Sequence, residues 1–180
     1  MWTFHVRRGT AAPMTDHVEF TPDTTNTLQL RDAFGRFATG VTVITAQTAV
    51  GPLGMTANSF SSISLDPPLV MWAPGNGSRR HDAFVAAPRF CIHVLGADQF
   101  ELAAHFATRG DGFDAFETHL DDQDLPLFND CVARFICEHH AAHPAGDHTM
   151  VLGRVAHASF ASRPGLVFEQ GRYGQLAADA

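Results

Sequence analysis

The stretch with the most chemistry in it is Gly54-Met-Thr-Ala-Asn-Ser-Phe-Ser-Ser-Ile-Ser-Leu-Asp-Pro-Pro68. Thr56, Asn58, Ser59, Ser61, Ser62 and Ser64 interleave short polar side chains with small or apolar ones. Ser and Asn are poor strand formers, so a plain strand would not collect so many. A phosphate or the polar edge of a flavin ring needs many short donors, exposed backbone N–H groups and close approach. The competing reading is a polar loop between strands. A second stretch, Asn76-Gly-Ser-Arg-Arg80, adds a site suited to anions. There Ser78 can cap a short helix, whose free N–H groups and paired arginines would hold a phosphate. Third, Gly146-Asp147-His148 opens an apolar run, placing one imidazole at the mouth of a strand. Each has a bland alternative, a solvated helix start or a turn residue; two anion-suited sites in an acidic chain are harder to dismiss together.

The elements that must position these residues follow from the hydrophobic period. Leu30, Ala33, Phe34 and Phe37 recur at helical spacing after Asn26-Thr27, predicting a short helix over 27–38. From Val41 the residues turn β-branched, Gly51-Pro52 marks a turn, and 54–64 reads as an interrupted strand. Asp66-Pro67-Pro68 forces an extended break before a short strand, Leu69-Val-Met-Trp72. The loop 74–77 and the short helix carrying Arg79, Arg80 and Phe84 come next, then a buried strand over 89–95. Asp98-Gln-Phe-Glu101 has capping-box spacing and should open a helix to about Phe106. Residues 107–130 are acidic and irregular, and read as a solvated excursion. Strands are expected at about 131–140, 148–160 and 166–169. Many short strands, few helices and no strand–helix alternation predict a mainly β protein, an antiparallel barrel rather than a Rossmann sheet.

Composition narrows the function classes. The 180 residues suffice for one compact domain, and 45% hydrophobic with 17% charged residues is ordinary for a globular protein. Fifteen Phe against two Trp and one Tyr must be buried in a core or against a flat ligand or partner. A net charge of −7 argues against nucleic acid or an anionic membrane as the main partner. Cys91, Cys131 and Cys137 make no disulfide framework. If the last two share a strand they stand roughly 20 Å apart, so a reduced, cytoplasmic protein is expected. The first residues lack an apolar core of signal-peptide length, and no window is long enough to span a membrane. Met14 offers an alternative start, so 1–26 reads as a flexible extension and 27–178 as the domain. Glu138-His-His-Ala-Ala-His143 is not read as a metal site: on a strand His139 and His140 point to opposite faces, and His-Glu-x-x-His and Cys-x-x-Cys are absent. Gly-x-Ser-x-Gly, the P-loop and Gly-x-Gly-x-x-Gly are missing too, so a nicotinamide would bind without a Rossmann fold.

In order along the chain, Phe37-Ala-Thr-Gly-Val-Thr-Val-Ile-Thr45, the 54–68 motif, Gly146-Asp-His-Thr149 with Gly153-x-Val155, and Leu166-Val-Phe with Gly171-x-Tyr173 resemble one family. It is the short-chain flavin reductases, the small reductase components of two-component flavin monooxygenases. The resemblance covers roughly 28–176. It implies an antiparallel Greek-key split barrel of the FMN-binding type and a homodimer with flavin near the subunit interface. It also implies FAD or FMN with NADH or NADPH, and a separate monooxygenase that receives the reduced flavin. By the same resemblance Thr56, Ala57, Asn58, Ser59 and Ser62 line the flavin and nicotinamide site. Ser78, Arg79, Arg80 and Phe84 fall where the flavin phosphate or adenylate is held, and His148, Gly171 and Tyr173 flank the nicotinamide. Two departures stand out: His93 replaces the usual Asn in its strand, and the 107–130 excursion is unusually acidic.

The reaction implied is hydride transfer from nicotinamide C4 to flavin N5 between rings stacked about 3–3.5 Å apart, with His148 as the candidate catalytic residue orienting the nicotinamide or its phosphate. Donors from Asn58 or Ser59 would stabilise the reduced flavin. The rivals are a flavin-binding carrier or sensor without nicotinamide activity, a pyridoxamine-phosphate-oxidase-like or haem-handling protein on the same barrel, and a purely structural interaction domain.

Overall fold

A computed structural model describes residues 17–176. Contacts divide the chain between Phe34 and Gly35. The first unit holds α1 (Thr27–Phe34), which buries none of its residues and stops short of the expected 38. The expected extension 1–26 lies largely outside the described residues.

Every strand pairing in the second unit is antiparallel. Seven strands form its main sheet in the order β3-β2-β6-β9-β10-β5-β4. They are β2 (Thr42–Thr48), β3 (Gly51–Ala57), β4 (Ser61–Leu65), β5 (Pro68–Trp72), β6 (Arg89–Val94), β9 (Ala133–Ala145) and β10 (His148–Phe160). The non-consecutive neighbours β2–β6 and β10–β5 give the Greek-key crossings expected of a split barrel. A three-stranded sheet joins β1 (Thr39–Gly40), β11 (Val167–Glu169) and β12 (Arg172–Gly174), and β7 (Thr118–Leu120) pairs with β8 (Pro126–Phe128).

The strand β2 is buried on both faces, which its unbroken β-branched run allows. Ile44 and Ala46 join Trp72, Phe84, Phe90 and Val151 in one core cluster. Val43, with Val41 just before the strand, joins Leu102, Ala103, Phe106 and Phe128 in a second. The polar residues that this burial traps are satisfied. Thr42 Oγ1 donates to Ala57 O (2.6 Å) and Thr45 Oγ1 to Pro126 O (2.5 Å). Two register shifts bend the long β9–β10 hairpin. At Gly153 beside the first, a Cβ would lie 2.5 Å from the Phe90 ring, so only glycine lets the core close there.

Three expectations need correction. The helix α3 (Phe100–Thr108) starts one residue late, after Gln99 instead of Asp98 as the N-cap, and without a capping box. Asp98 is instead paired with Arg163 (2.6 Å), and Gln99 Oε1 accepts the Gly96 N–H. The helix α2 (His81–Ala86) begins after both arginines, with no side-chain cap. Residues 107–130 are more than a solvated excursion: Leu125, Leu127 and Phe128 are buried, and Phe113 and Phe116 pack on the second cluster. Their acidic residues dominate the count, but the apolar ones between them decide where the segment lies. Asp121 is itself structural. Burial opposes its charge, yet hydrogen bonds from the Leu125 and Gln123 amides and from Arg89 outweigh that and lower its pKa.

Candidate functional site

The three stretches singled out in the sequence meet in space. Ser59 lies between β3 and β4, where its Oγ accepts the Ala73 N–H (2.9 Å) and donates to Ala73 O (3.3 Å). That bond ties the hydroxyl-rich motif to the loop after β5. The same loop is laced to the β9–β10 turn: Asn76 N–H donates to Asp147 O (2.8 Å), Asn76 Nδ2 to Gly146 O (3.1 Å), and Thr149 N–H to Pro74 O (3.1 Å). Gly146 has φ +67°, a left-handed turn that suits glycine.

His148 projects from this lacing with its side chain about half exposed. Its Nδ1 lies 2.8 Å from Asp147 Oδ1. A carboxylate can only accept, so Nδ1 carries the proton and Nε2 is left for a ligand. The His148 hydrogen bond, then its charge, lowers the pKa of Asp147. The ring lies over Gly75, where a Cβ would stand 3.5 Å from Nε2. Behind it a second imidazole closes the knot. His81 Nδ1 meets Asp82 Oδ1 at 2.7 Å, and its Nε2 lies 2.9 Å from Thr149 Oγ1, which also reaches Asn76 Oδ1 (3.2 Å). Sequence reasoning missed His81, although the dipeptide His81-Asp82 mirrors Asp147-His148 and could have drawn attention.

The expected site residues separate by what they touch. Asn58 and Ser62 are exposed, and neither side chain has a hydrogen-bond partner among the described residues, so both are open to a ligand. Ala57 is partly exposed at the end of β3. Thr56 Oγ1 is committed to Ala103 O (2.7 Å) on α3. Ser78 Oγ accepts the Arg80 N–H (3.2 Å), and Arg79 is exposed with no hydrogen bond or ion pair among the described residues.

Two residues depart from their expected roles. Phe84 is fully buried, edge-on to Trp72 with centroids 5.3 Å apart, because the apolar face of α2 has to cover the sheet. The Arg80 guanidinium is spent on backbone carbonyls: Gly54 (2.8 Å), Phe106 (2.9 Å), Arg109 (2.5 Å) and Ala107 (3.3 Å). Burial, and then the neighbouring Arg79, lower its pKa. Gly171 (φ +77°) turns the chain between β11 and β12 and sets Tyr173 between Phe168 and Phe100, with centroids 5.0 and 5.1 Å away. Tyr173 shares no hydrogen bond or ring contact with His148 of the same chain among the described residues.

Two adjoining cavities of about 290 and 410 Å³ share Glu117, Phe128, Asn129 and Asp130, and none of the expected site residues lines either. No group of three or more metal-ligating side chains occurs among the described residues. No helix there is long and apolar enough to cross a membrane.

Comparison with known proteins gives one family. A model of the flavin reductase like domain matches residues 34–177. An NADH-dependent FMN reductase of Agrobacterium fabrum is 47% identical over 161 residues, covering 89% of this chain and 92% of that one. The reductase subunit of a flavin-dependent monooxygenase of Mycobacterium tuberculosis is 34% identical, covering 79% of each. Among solved structures, the NADH:FAD oxidoreductase of Streptomyces globisporus, in complex with NAD and FAD fragments, superposes with a TM-score of 0.83. It is 41% identical, over 90% of this chain and 99% of that one.

Proposed function

Since the chain belongs to the flavin reductase like family, we propose that the knot joining residues 56–62, 73–80 and 146–149 is where flavin and nicotinamide meet. The protein is an NADH-dependent flavin reductase that moves a hydride from the nicotinamide to FAD or FMN. It is the reductase half of a two-component system, supplying reduced flavin to a separate monooxygenase.

The single observation that carries the site assignment is the convergence, through Ser59, Asn76 and Thr149, of three separate polar stretches on one exposed surface. The residues fit a flavin. Asn58 and Ser62 keep free polar atoms, while Ala57 and the serines let a flat ring come close. Flavin, when bound, accepts the hydride; the chain contributes position and electrostatics. The Asn58 side-chain amide would donate toward the polar edge of a bound ring system and favour its reduced, more negative form. Ser62 adds a hydroxyl, and Arg79 supplies the charge for the flavin phosphate. His148, held by Asp147, offers Nε2 to the nicotinamide carboxamide or its phosphate. Gly171 and Tyr173, which make no contact with His148 of their own chain among the described residues, would complete the nicotinamide side from a second copy.

The same reading makes the protein a homodimer. Along β10, residues 155–160 pair with β9 alone, and Ile63, Leu65 and Phe160 are exposed apolar side chains. A bare strand edge and exposed apolar groups need a cover, and a second copy is the occupant we assign.

Absorbance at 340 nm tests the function. With NADH present, rapid oxidation should require added FAD or FMN, and the faster flavin identifies the working pair. No oxidation with either flavin, despite flavin binding, would leave a carrier or sensor in place of a reductase.

A further inference from the structure

The adjacent arginines Arg79 and Arg80 do not share one environment. Arg79 is exposed and unpaired among the described residues, whereas one guanidinium nitrogen of Arg80 reaches three carbonyls and the other a fourth. Three of those carbonyls, of Phe106, Ala107 and Arg109, belong to the end of α3, where helix geometry leaves acceptors without partners. The fourth is Gly54, on the edge strand β3 two residues before Thr56. The junction is shaped around this side chain. Gly54 N–H donates to Gly110 O (2.8 Å), and a Cβ on Gly110 would stand 2.8 Å from Arg80 Cδ. A Cβ on Gly54 would lie 2.3 Å from the Phe106 ring. Meanwhile Ser78 Oγ holds the Arg80 N–H, fixing the loop from which the arginine departs.

We propose that Arg80 is a positioning residue: it clips the loop 73–80, the start of the flavin motif on β3 and the C-terminus of α3 into one frame. Arg80 thereby sets affinity for the ring system common to all flavins, and Arg79 alone discriminates for the phosphate. The assignment rests on the flavin reading above and deepens it. A planar fork with several donors suits the task; an ammonium carries the charge but not the geometry. Charge-assisted hydrogen bonds of this kind are each worth roughly a factor of ten or more in an equilibrium.

Flavin fluorescence quenching with riboflavin, FMN and FAD separates the roles, because riboflavin lacks the phosphate. Wild-type protein, Arg79→Gln, Arg80→Gln and Arg80→Lys are titrated well below each variant's melting midpoint. Arg80→Gln should weaken riboflavin and FMN by the same factor, about tenfold or more, leaving their ratio unchanged. Arg80→Lys should recover part of that loss and also keep the ratio. Arg79→Gln should weaken FMN and leave riboflavin alone. A purely structural arginine would lower the melting midpoint without moving the affinity of the folded protein. Loss of FMN binding with riboflavin intact in Arg80→Gln would make Arg80 a phosphate ligand and overturn the proposal, as would unchanged affinity for both. If Arg80→Gln does not fold, the FMN-to-riboflavin ratio in Arg80→Lys decides the same question. Wild-type protein that binds none of the three flavins would overturn the flavin reading, and the role given to Arg80 with it.

Discussion

His93 and His148 show how one side chain takes opposite parts in one sheet. His93 is fully buried, its ring edge-on to Phe128. Its Nδ1–H donates to Val43 O (3.0 Å), and Nε2 accepts the Phe128 N–H (3.2 Å). Both nitrogens are used, one as donor and one as acceptor, so the ring has to be neutral. Burial drives its pKa down to about 3, against the opposing pull of the Val43 carbonyl. An Asn, the residue that the family resemblance leads one to expect here, would also offer one donor and one acceptor. Because the folded pKa lies below the unfolded value of about 6.5, the unfolded chain takes up the proton first. This contribution is complete above pH 6.5 and is lost as pH falls toward 3, at about 1.4 kcal/mol per pH unit at most. We expect His93→Asn to flatten the melting temperature against pH between about 6.5 and 4; an unchanged slope would clear His93 of the effect. For His148, half exposed at the site, the expectation is kinetic. His148→Ala should raise the NADH KM or lower kcat by about tenfold while flavin binding survives, and unchanged steady-state constants would defeat its role.

At the level of elements, the α3–β3 junction decides whether the site keeps its shape. Thr56 and Gly54 both bond to α3 or the loop after it, so the open side of the edge strand is held by carbonyls of the helix and its following loop instead of by another strand. Gly54→Ala would force a methyl group against the Phe106 ring. It should cost about 1–3 kcal/mol of stability, read from a denaturant midpoint, and weaken flavin binding. Full stability in this variant would mean that the ring moves aside freely. The 107–130 segment acts at the same scale. Its Leu125, Leu127 and Phe128 close one side of β6, and Asp121 pins its turn to Arg89 (2.9 Å).

For the whole molecule, the edge of β10 over residues 155–160, paired with β9 alone, needs a cover. In the dimer reading, Leu65→Glu with Phe160→Glu should turn a dimer into a monomer in sedimentation equilibrium, and flavin turnover should fall if the partner helps to shape the site. A wild-type monomer at micromolar concentration would remove that reading. Tyr173 bears on the same cover, since it packs on Phe100 and Phe168 and makes no ring contact with His148 of its own chain among the described residues.

Much of this was legible along the chain. The β-branched run of β2, the break at residues 66–68 and the strand from His148 to Phe160 follow from local preference and period, which need no knowledge of the rest of the fold. So does the list of polar stretches that meet through Ser59, Asn76 and Thr149, since unusual Ser, Asn and Gly content is itself local. Which members of those stretches keep free polar atoms was decided only in three dimensions. Phe84 turns into the core because α2 has to cover the sheet, and Arg80 turns to the end of α3 because unpaired carbonyls accumulate there. The buried apolar residues among the aspartates of 107–130 were hidden for the same reason. Composition averages over a segment, whereas packing selects single side chains by the surface that each one meets.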